Sequence, residues 1–406
     1  MTKLLVLTLD GDDQPGVTAG ISTVLSHSEL AIKQLEQIVL QGHLVLGLVL
    51  NSTISDLSSD DLRNTFDTAI DIAQQYAKSR NMSLHSRIIA DSDLDHWRER
   101  LVVTVLGNPL VPASVAAITS TIAQAGGNID RIRQVAMHPV TAIEFEVGGV
   151  TKLALRDQLS HVARANGIDI AVQESGLDRR GIHLVVMDVD STLIQEEVIE
   201  LLAAHAGVET EVTAITKQAM NGELDFEQSL RARVRLLKGL PASSLDEVQK
   251  DITLSLGAET VVQTLHALGF HVALVSGGFI EVVEPLAKKL GIQSYRANRL
   301  EVIDNMLTGE LSGPIIDRAH KAEALREYAA HYDIPMSRTI AIGDGANDLD
   351  MLNAAALGIA FNAKPFVRDA AHASVNTPYL DTVLYVMGIP REHIERAEAL
   401  RNAEGN

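Results

Sequence analysis

The chain contains no cysteine. Disulfide scaffolds, thiol nucleophiles and Cys-ligated zinc or iron–sulfur sites are therefore excluded. Aromatic residues are scarce, 3% of the total, which argues against a surface built to stack nucleic-acid bases. Positive charge is also in short supply, with 34 Lys and Arg against 53 Asp and Glu, a net charge of −19. Such a chain repels a phosphate backbone, although a single pocket can still be locally positive. No nucleic-acid partner is expected. Long apolar runs are missing too. The longest, such as 44–50, have the length of a strand and not of a membrane span. The stretch at 4–9 is short for a signal core, runs into Asp10, Asp12 and Asp13, and is followed by no small-residue cleavage site. No membrane partner and a cytoplasmic location are expected.

What the chain has is length and pattern. Its 406 residues, 46% apolar and 21% charged, suit two or three folded domains. Over the first 90 residues the periodicity predicts a strand at 4–9, a helix at 16–26, strands at 32–40 and 44–50, a helix at 62–77 and a strand at 83–90. The order is βαββαβ. It returns at 101–106, 112–125, 129–137, 141–147, 153–165 and 168–173. Thr8 and Thr104 hold matching places in Leu-Thr-Leu and Val-Thr-Val, so the front half is a tandem duplication. Residues 91–96 read as a linker between the copies, and 174–181 as a linker to a third part.

From 183 the strands become almost unbroken apolar runs, at 183–187, 271–275, 339–342 and 358–361. Such strands are buried on both faces of a parallel sheet. Helices at 258–268, 280–290 and 321–331 separate them, a doubly wound α/β pattern. A hairpin is expected within 297–311, and 195–255 reads as a mainly helical cap. The expected domains are thus 1–90, 98–175 and 181–390, with a helical tail at 391–406.

Four signals sit where such a sheet binds its ligands, just beyond strand ends. Asp188-Val189-Asp190-Ser191-Thr192 offers two carboxylates on alternate positions, one to attack and one to move protons. Ser276-Gly277-Gly278 offers a hydroxyl and bare N–H groups to phosphate oxygens. Lys321 offers a point charge to a phosphoryl group. Gly343-Asp344-Gly345-Ala346-Asn347-Asp348 offers the hard oxygen donors that Mg²⁺ prefers. Each alone could be a turn, a helix cap or a solvated charge. Their joint presence in this order makes a phosphate-handling site the better reading.

These motifs resemble the haloacid dehalogenase superfamily, and Asp-x-Asp-x-Thr resembles its phosphatases. In the cap, Glu196-Glu197-Val198, Met220-Asn221-Gly222, Phe226-Glu227-Gln228-Ser229-Leu230, and Arg231 with Arg233 resemble the phosphoserine phosphatase family. The duplicated front half resembles paired ACT domains, modules that sense small molecules. The implied fold is a Rossmann-like haloacid dehalogenase core with a helical cap, preceded by two ferredoxin-like ACT domains. The implied activity is Mg²⁺-dependent hydrolysis of O-phospho-L-serine through an aspartyl phosphate, the last step of serine biosynthesis. By that resemblance Asp188 is the nucleophile and Asp190 the acid and then the base. Asp188, the Asp190 carbonyl and Asp344 hold Mg²⁺, with Asp348 behind them. Ser276, Gly277, Lys321 and Asn347 hold the phosphoryl group. Glu197 takes the substrate ammonium, Arg233 the carboxylate, and Met220 and Phe226 close over both. Spacing alone does not single out Arg233 from Arg231 and Arg235.

In the first copy, Asp13-Gln14-Pro15-Gly16-Val17 places N–H groups at a helix start, where they can receive the carboxylate of a regulatory amino acid such as L-serine. The same residues can simply start the helix. The second copy has Asn108-Pro109-Leu110-Val111-Pro112 there and lacks the glycine. It is expected to serve dimerisation or to share a ligand site at an interface, and the chain is expected to form a homodimer through these modules. Two other readings stay open. One is a phosphatase or phosphotransferase for another small phosphomonoester. The other is an amino-acid-sensing regulator with an inactive hydrolase domain.

Overall fold

The computed structural model describes residues 3–54, 57–91, 100–220 and 223–404. The chain divides into two compact units, Met1–Arg98 and Glu99–Asn406. Beyond Asp91, the first expected linker lies outside the described residues.

The first unit contains β1 (Lys3–Asp12), α1 (Val17–Leu25), β2 (Leu30–Leu40), β3 (His43–Ser52), α2 (Ser59–Ser79) and β4 (Ser83–Ala90). Its sheet runs in the order β2-β3-β1-β4, all antiparallel, the ferredoxin-like arrangement. Alternation explains it. Leu5, Leu7 and Leu9 share a face with Leu44, Leu46, Leu48 and Leu50, and Leu7 pairs directly with Leu48. Val17 and Ile21 of α1 and Phe66, Ala69 and Ala73 of α2 cover that face. Ser58 caps α2 by accepting a hydrogen bond from the Asp61 N–H at 3.1 Å. At the sheet edge, β2 leaves Ile32, Leu35, Ile38 and Leu40 exposed.

The second unit repeats the motif in β5 (Arg100–Gly107), α3 (Pro112–Gln124), β6 (Asn128–Ala136), β7 (Thr141–Gly148), α4 (Lys152–Asn166) and β8 (Asp169–Glu174). It continues with β9 (Leu184–Met187) and the cap helices α5 (Val198–Ala206), α6 (Glu209–Met220), α7 (Phe226–Arg235) and α8 (Ser243–Asp251). Then come α9 (Ala258–Ala267), β10 (His271–Phe279), α10 (Ile280–Lys289), the hairpin β11 (Ser294–Ile303) and β12 (Met306–Ser312), α11 (Arg318–His331) and β13 (Thr339–Gly343). The chain ends with α12 (Leu349–Ala354), β14 (Leu357–Phe361), α13 (Pro365–Ala370), β15 (Ala373–Val375), α14 (Val383–Val386) and α15 (Arg391–Glu404).

These strands form one sheet, β12-β11-β10-β9-β13-β14-β15-β8-β5-β7-β6. The second βαββαβ module is therefore joined to the α/β core through its last strand, with Ala171 of β8 opposite Ala373 of β15. The second module and the α/β core thus belong to one compact unit, Glu99–Asn406. In the core, Leu184 and Val186 enter one apolar layer while Val185 and Met187 enter the other. That two-sided burial is what the unbroken apolar run anticipates. Met187 lies level with Leu274 and Ile342 in the flanking parallel strands, so the loops after β9, β10 and β13 leave the sheet at one place.

Candidate active site

Asp188 follows β9 directly, and its N–H is held at 2.9 Å by the Ile342 carbonyl of β13. The chain then makes an irregular turn in which Ser191 adopts the left-handed region, φ 56°, a conformation that costs a non-glycine residue free energy. The turn is anchored at both ends. The Ile194 N–H returns to the Val189 carbonyl at 3.0 Å, and the Ser255 hydroxyl donates to the Thr192 carbonyl at 2.7 Å. Its effect is to aim Asp190 back at the start of the cap. Asp190 Oδ1 accepts the Val198 N–H at 2.9 Å, and Oδ2 accepts the Ser276 hydroxyl at 2.9 Å.

Lys321 lies in the first turn of α11, whose start is capped by Asp317 through the His320 N–H at 2.9 Å. The Lys321 side chain is completely buried, and Nζ donates to Asp188 Oδ1 at 2.7 Å and Asp348 Oδ1 at 2.6 Å. A buried ammonium needs such partners. Burial opposes its charge, but Asp188 and Asp348 outweigh burial and raise its pKa above the ordinary lysine value. Asp348 is engaged on its other side too, since Oδ2 accepts the Gly345 N–H at 2.9 Å. Asp344 accepts only a 3.3 Å bond from the Thr192 hydroxyl among the described side chains. Carboxylate oxygens of Asp188, Asp344 and Asp348 converge within 4.8 Å of one another. Burial, then the charge of Asp348, lifts the Asp344 carboxyl to about 6. Burial and Asp348 raise Asp188 well above the carboxylate range, against the pull of Lys321. Burial also raises Asp190. Such crowding of hard oxygen donors suits a divalent cation such as Mg²⁺.

Above this floor lies a cavity of about 780 Å³, lined among others by Asp188, Asp190, Glu197, Phe226, Arg233 and Asn347. The sequence builds its wall through α7. Asp225 and Gln228 form a reciprocal cap, with the Gln228 N–H on Asp225 Oδ1 at 2.8 Å and the Asp225 N–H on Gln228 Oε1 at 3.2 Å. Helical spacing then puts Phe226, Ser229, Leu230 and Arg233 on the cavity side. The structure separates the three arginines. Arg231 pairs with Glu227 at 2.8 Å and Arg235 with Glu310 at 3.7 Å, while Arg233 lines the cavity. Glu197 stands across the same space, with Oε1 accepting the Ser191 hydroxyl at 2.8 Å. Burial, reinforced by Asp190, lifts the Glu197 carboxyl to about 7. Burial lowers the pKa of Arg233, with Glu197 opposing the shift.

Gly277 brings the backbone close to the cap, and a Cβ there would press on Phe226 Cζ at 3.1 Å. Met220 ends α6, but its side chain, with Asn221 and Gly222, lies outside the described residues. The sequence placed Ser191 and Thr192 in the first motif without a role for either, and it did not single out Asn298. Asn298 is buried and holds the phosphate-loop candidate in place. Its Nδ2 donates to the Gly277 carbonyl at 2.8 Å and its Oδ1 accepts the Ile316 N–H at 2.7 Å. Its position in a hairpin strand gave no signal of that role.

In the first unit, Asp13, Gln14, Pro15, Gly16 and Val17 line a concavity of about 270 Å³ together with Thr18 and Gln37. Gly16 precedes α1 with φ 86° and no side-chain cap. A Cβ there would meet nothing within 4 Å, so the glycine is required by its backbone conformation and not by close approach.

A model of haloacid dehalogenase-like hydrolases matches residues 185–353, and ACT-domain models match 3–68 and 100–173. The fold and site therefore define a haloacid dehalogenase-like hydrolase with two ACT domains. Over 404 residues the chain is 49% identical to a phosphoserine phosphatase of Streptomyces coelicolor, covering 99% of this chain and 96% of that one. Identity to phosphoserine phosphatase SerB2 of Mycobacterium tuberculosis is 44%, over 97% and 95% of the two chains. An unliganded structure of a probable phosphoserine phosphatase from Vibrio cholerae is similar at a TM-score of 0.56 and 33% identity, covering 71% of this chain and 86% of that one. The chain belongs to the phosphoserine phosphatase family of phosphoric monoester hydrolases. No helix among the described residues is long and apolar enough to cross a membrane.

Proposed function

We propose that the chain hydrolyses O-phospho-L-serine to L-serine and phosphate through phosphorylated Asp188. The observation that carries this reading is the convergence on one cavity of Asp188 and Asp190 below, with buried Lys321 bonded to Asp188 behind them, and of Glu197 and Arg233 above. A phosphomonoester with an α-amino acid end needs that distribution of charge. An Asp188 oxygen attacks phosphorus, and the bond to the serine oxygen breaks. Asp190 gives its proton to the leaving oxygen, a role that fits a buried carboxyl with a raised pKa. Asp190 then takes a proton from water, whose oxygen attacks phosphorus and releases phosphate from Asp188. Lys321, Ser276, the Gly277 N–H and Asn347 offset the charge on the phosphoryl oxygens, the largest part of catalysis in this chemistry. Asp188, Asp344 and the Asp190 backbone carbonyl would hold Mg²⁺, with Asp348 behind, supporting Lys321. When bound, the ion would polarise the phosphoryl oxygens and neutralise the crowded carboxylates.

Glu197 takes the ammonium, Arg233 the carboxylate, and Phe226 and Met220 cover the substrate. The amino-acid pair Glu197 and Arg233 disfavours a different phosphomonoester, and the complete set around Lys321 disfavours an inactive regulator. The reading extends to a cytoplasmic enzyme at the last step of serine biosynthesis, regulated by L-serine at Asp13–Val17. Pairing of two chains through the first ACT domain is supported by the exposed apolar residues of edge strand β2. The decisive experiment is phosphate release from O-phospho-L-serine, with and without Mg²⁺, for the native chain and Asp188→Asn. Activity should require the metal and vanish in the variant while its circular dichroism is retained. Full activity in excess chelator, or in Asp188→Asn, would refute the mechanism.

A further inference from the structure

Ser229 sits on α7 one turn before Arg233 and lines the same cavity. It is only 2% exposed, and its hydroxyl has no hydrogen-bond partner among the described residues. A buried hydroxyl without a partner is costly. A serine within a helix ordinarily relieves that cost by donating to the carbonyl one turn back. Here the Asp225 carbonyl accepts the Ser229 N–H at 3.0 Å, but the hydroxyl does not bond to it. The Ser229 carbonyl, for its part, accepts Arg233 Nε at 3.4 Å, which ties the guanidinium to the turn that carries the hydroxyl. Substituents one turn apart on a helix share a face. An anion held by Arg233 therefore comes within the neighbourhood of the Ser229 hydroxyl.

We infer that Ser229 is a further substrate-binding residue, whose hydroxyl donates to the carboxylate that Arg233 binds. This rests on the assignment of Arg233 to the substrate carboxylate. The two groups then form a mixed clamp, in which the guanidinium supplies charge and the hydroxyl fixes the rotation of the carboxylate. Glu197 remains for the ammonium across the cavity. The hydroxyl also gives the cavity wall a polar group with no partner among the described residues. Removing it should thus penalise the bound state and not the fold, since alanine is the better helix former.

The test compares Ser229→Ala and Arg233→Ala with the native enzyme on two substrates. O-phospho-L-serine carries the carboxylate and phosphoethanolamine lacks it while keeping the amine. Ser229→Ala should lower kcat/KM for phosphoserine by about ten- to a hundred-fold, mainly through KM. It should change phosphoethanolamine turnover little, and its thermal midpoint should be equal to the native one or higher. If Arg233→Ala discriminates between the substrates and Ser229→Ala does not, the proposal fails and the reading of Arg233 stands. If neither discriminates, the reading of the cavity fails and the proposal falls with it. An equal loss on both substrates with Ser229→Ala would place the hydroxyl in cap folding or ammonium binding, and that too overturns the proposal.

Discussion

The most informative perturbation is Lys321→Met, which keeps much of the side-chain volume and removes only the ammonium. Lys321 and Asp348 are completely inaccessible, and Asp188 is 3% exposed. Nothing else among the described side chains offers a cation to Asp188 at bonding distance; the ammonium at 2.7 Å stands alone there. Taking one member from a buried ion pair strands the other, at a cost of about 3–5 kcal/mol. Loss of the positive charge beside the transferring phosphoryl group should slow turnover by about a hundred-fold or more. The two effects can be pulled apart. Lys321→Met with Asp348→Asn removes one of the two stranded charges, so part of the lost stability should return while turnover stays low. The assay is the urea-unfolding midpoint in chelator at neutral pH, beside phosphate release with Mg²⁺. The deficit should also shrink on acidification. The Asp188 pKa is raised in the fold, so the folded state binds protons more readily than the unfolded chain. Stability therefore rises as pH falls from that raised pKa toward the ordinary carboxylate range. A metal-free Lys321→Met enzyme as stable as its parent at neutral pH would refute the account of a charged buried triad.

Two further outcomes follow from the same geometry. Glu197 must be ionised to receive an ammonium and its carboxyl is lifted to about 7, so kcat/KM for phosphoserine should fall below that pH more steeply than for an aryl phosphate. Glu197→Gln should abolish the difference between the two pH profiles, and a difference that persists would assign the limb elsewhere. Gly16→Val forces a β-branched residue to φ 86°, a strain on the order of 1–3 kcal/mol, and should weaken the response of activity to L-serine while turnover without serine is retained. Serine titration of the full-length variant checks this, and an undiminished response would remove the Asp13–Val17 loop from regulation.

Much of the architecture was legible because it rests on long, periodic segments. The alternating leucines of β1 and β3 and the unbroken apolar run of β9 each state their burial directly. Order and spacing of the motifs after β9, β10 and β13 located the floor of the site, since parallel strands deliver their following loops to one edge. What stayed hidden depends on contacts distant in sequence. Three arginines at alternate positions of α7 look alike until Glu227 and Glu310 claim two of them. The different surroundings of Asp344 and Asp348 appear only once Lys321 and the Gly345 N–H occupy both oxygens of Asp348. Strand β15 has three residues, too few to show a period, so its pairing with β8 had no signature. Short helices α12, α13 and α14 were invisible for the same reason.

The joining of β8 to β15 goes with a difference between the two copies. In the first copy Thr8 pairs with Gly47, and in the second the matching Thr104 pairs with Glu144. Where the first copy has a bare glycine, the second has a carboxylate that is 4% exposed. Burying a carboxylate is unfavourable without partners, and Glu144 has three, Arg133 of β6, Arg179 from the segment that leads into the catalytic core, and the Thr104 hydroxyl at 3.4 Å. Asp169 at the start of β8 does the same at the seam, accepting the Asn376 N–H at 2.7 Å and the Ser374 hydroxyl at 3.1 Å. Gln173 reaches the Val386 carbonyl at 2.7 Å, and the Tyr385 hydroxyl reaches the His138 carbonyl at 3.1 Å. The bonds of Asp169, Gln173 and Tyr385 join the second ACT module to the phosphatase core. The second module's sheet is continuous with the catalytic sheet, whereas the glycine-bearing loop of the first copy lines an open concavity.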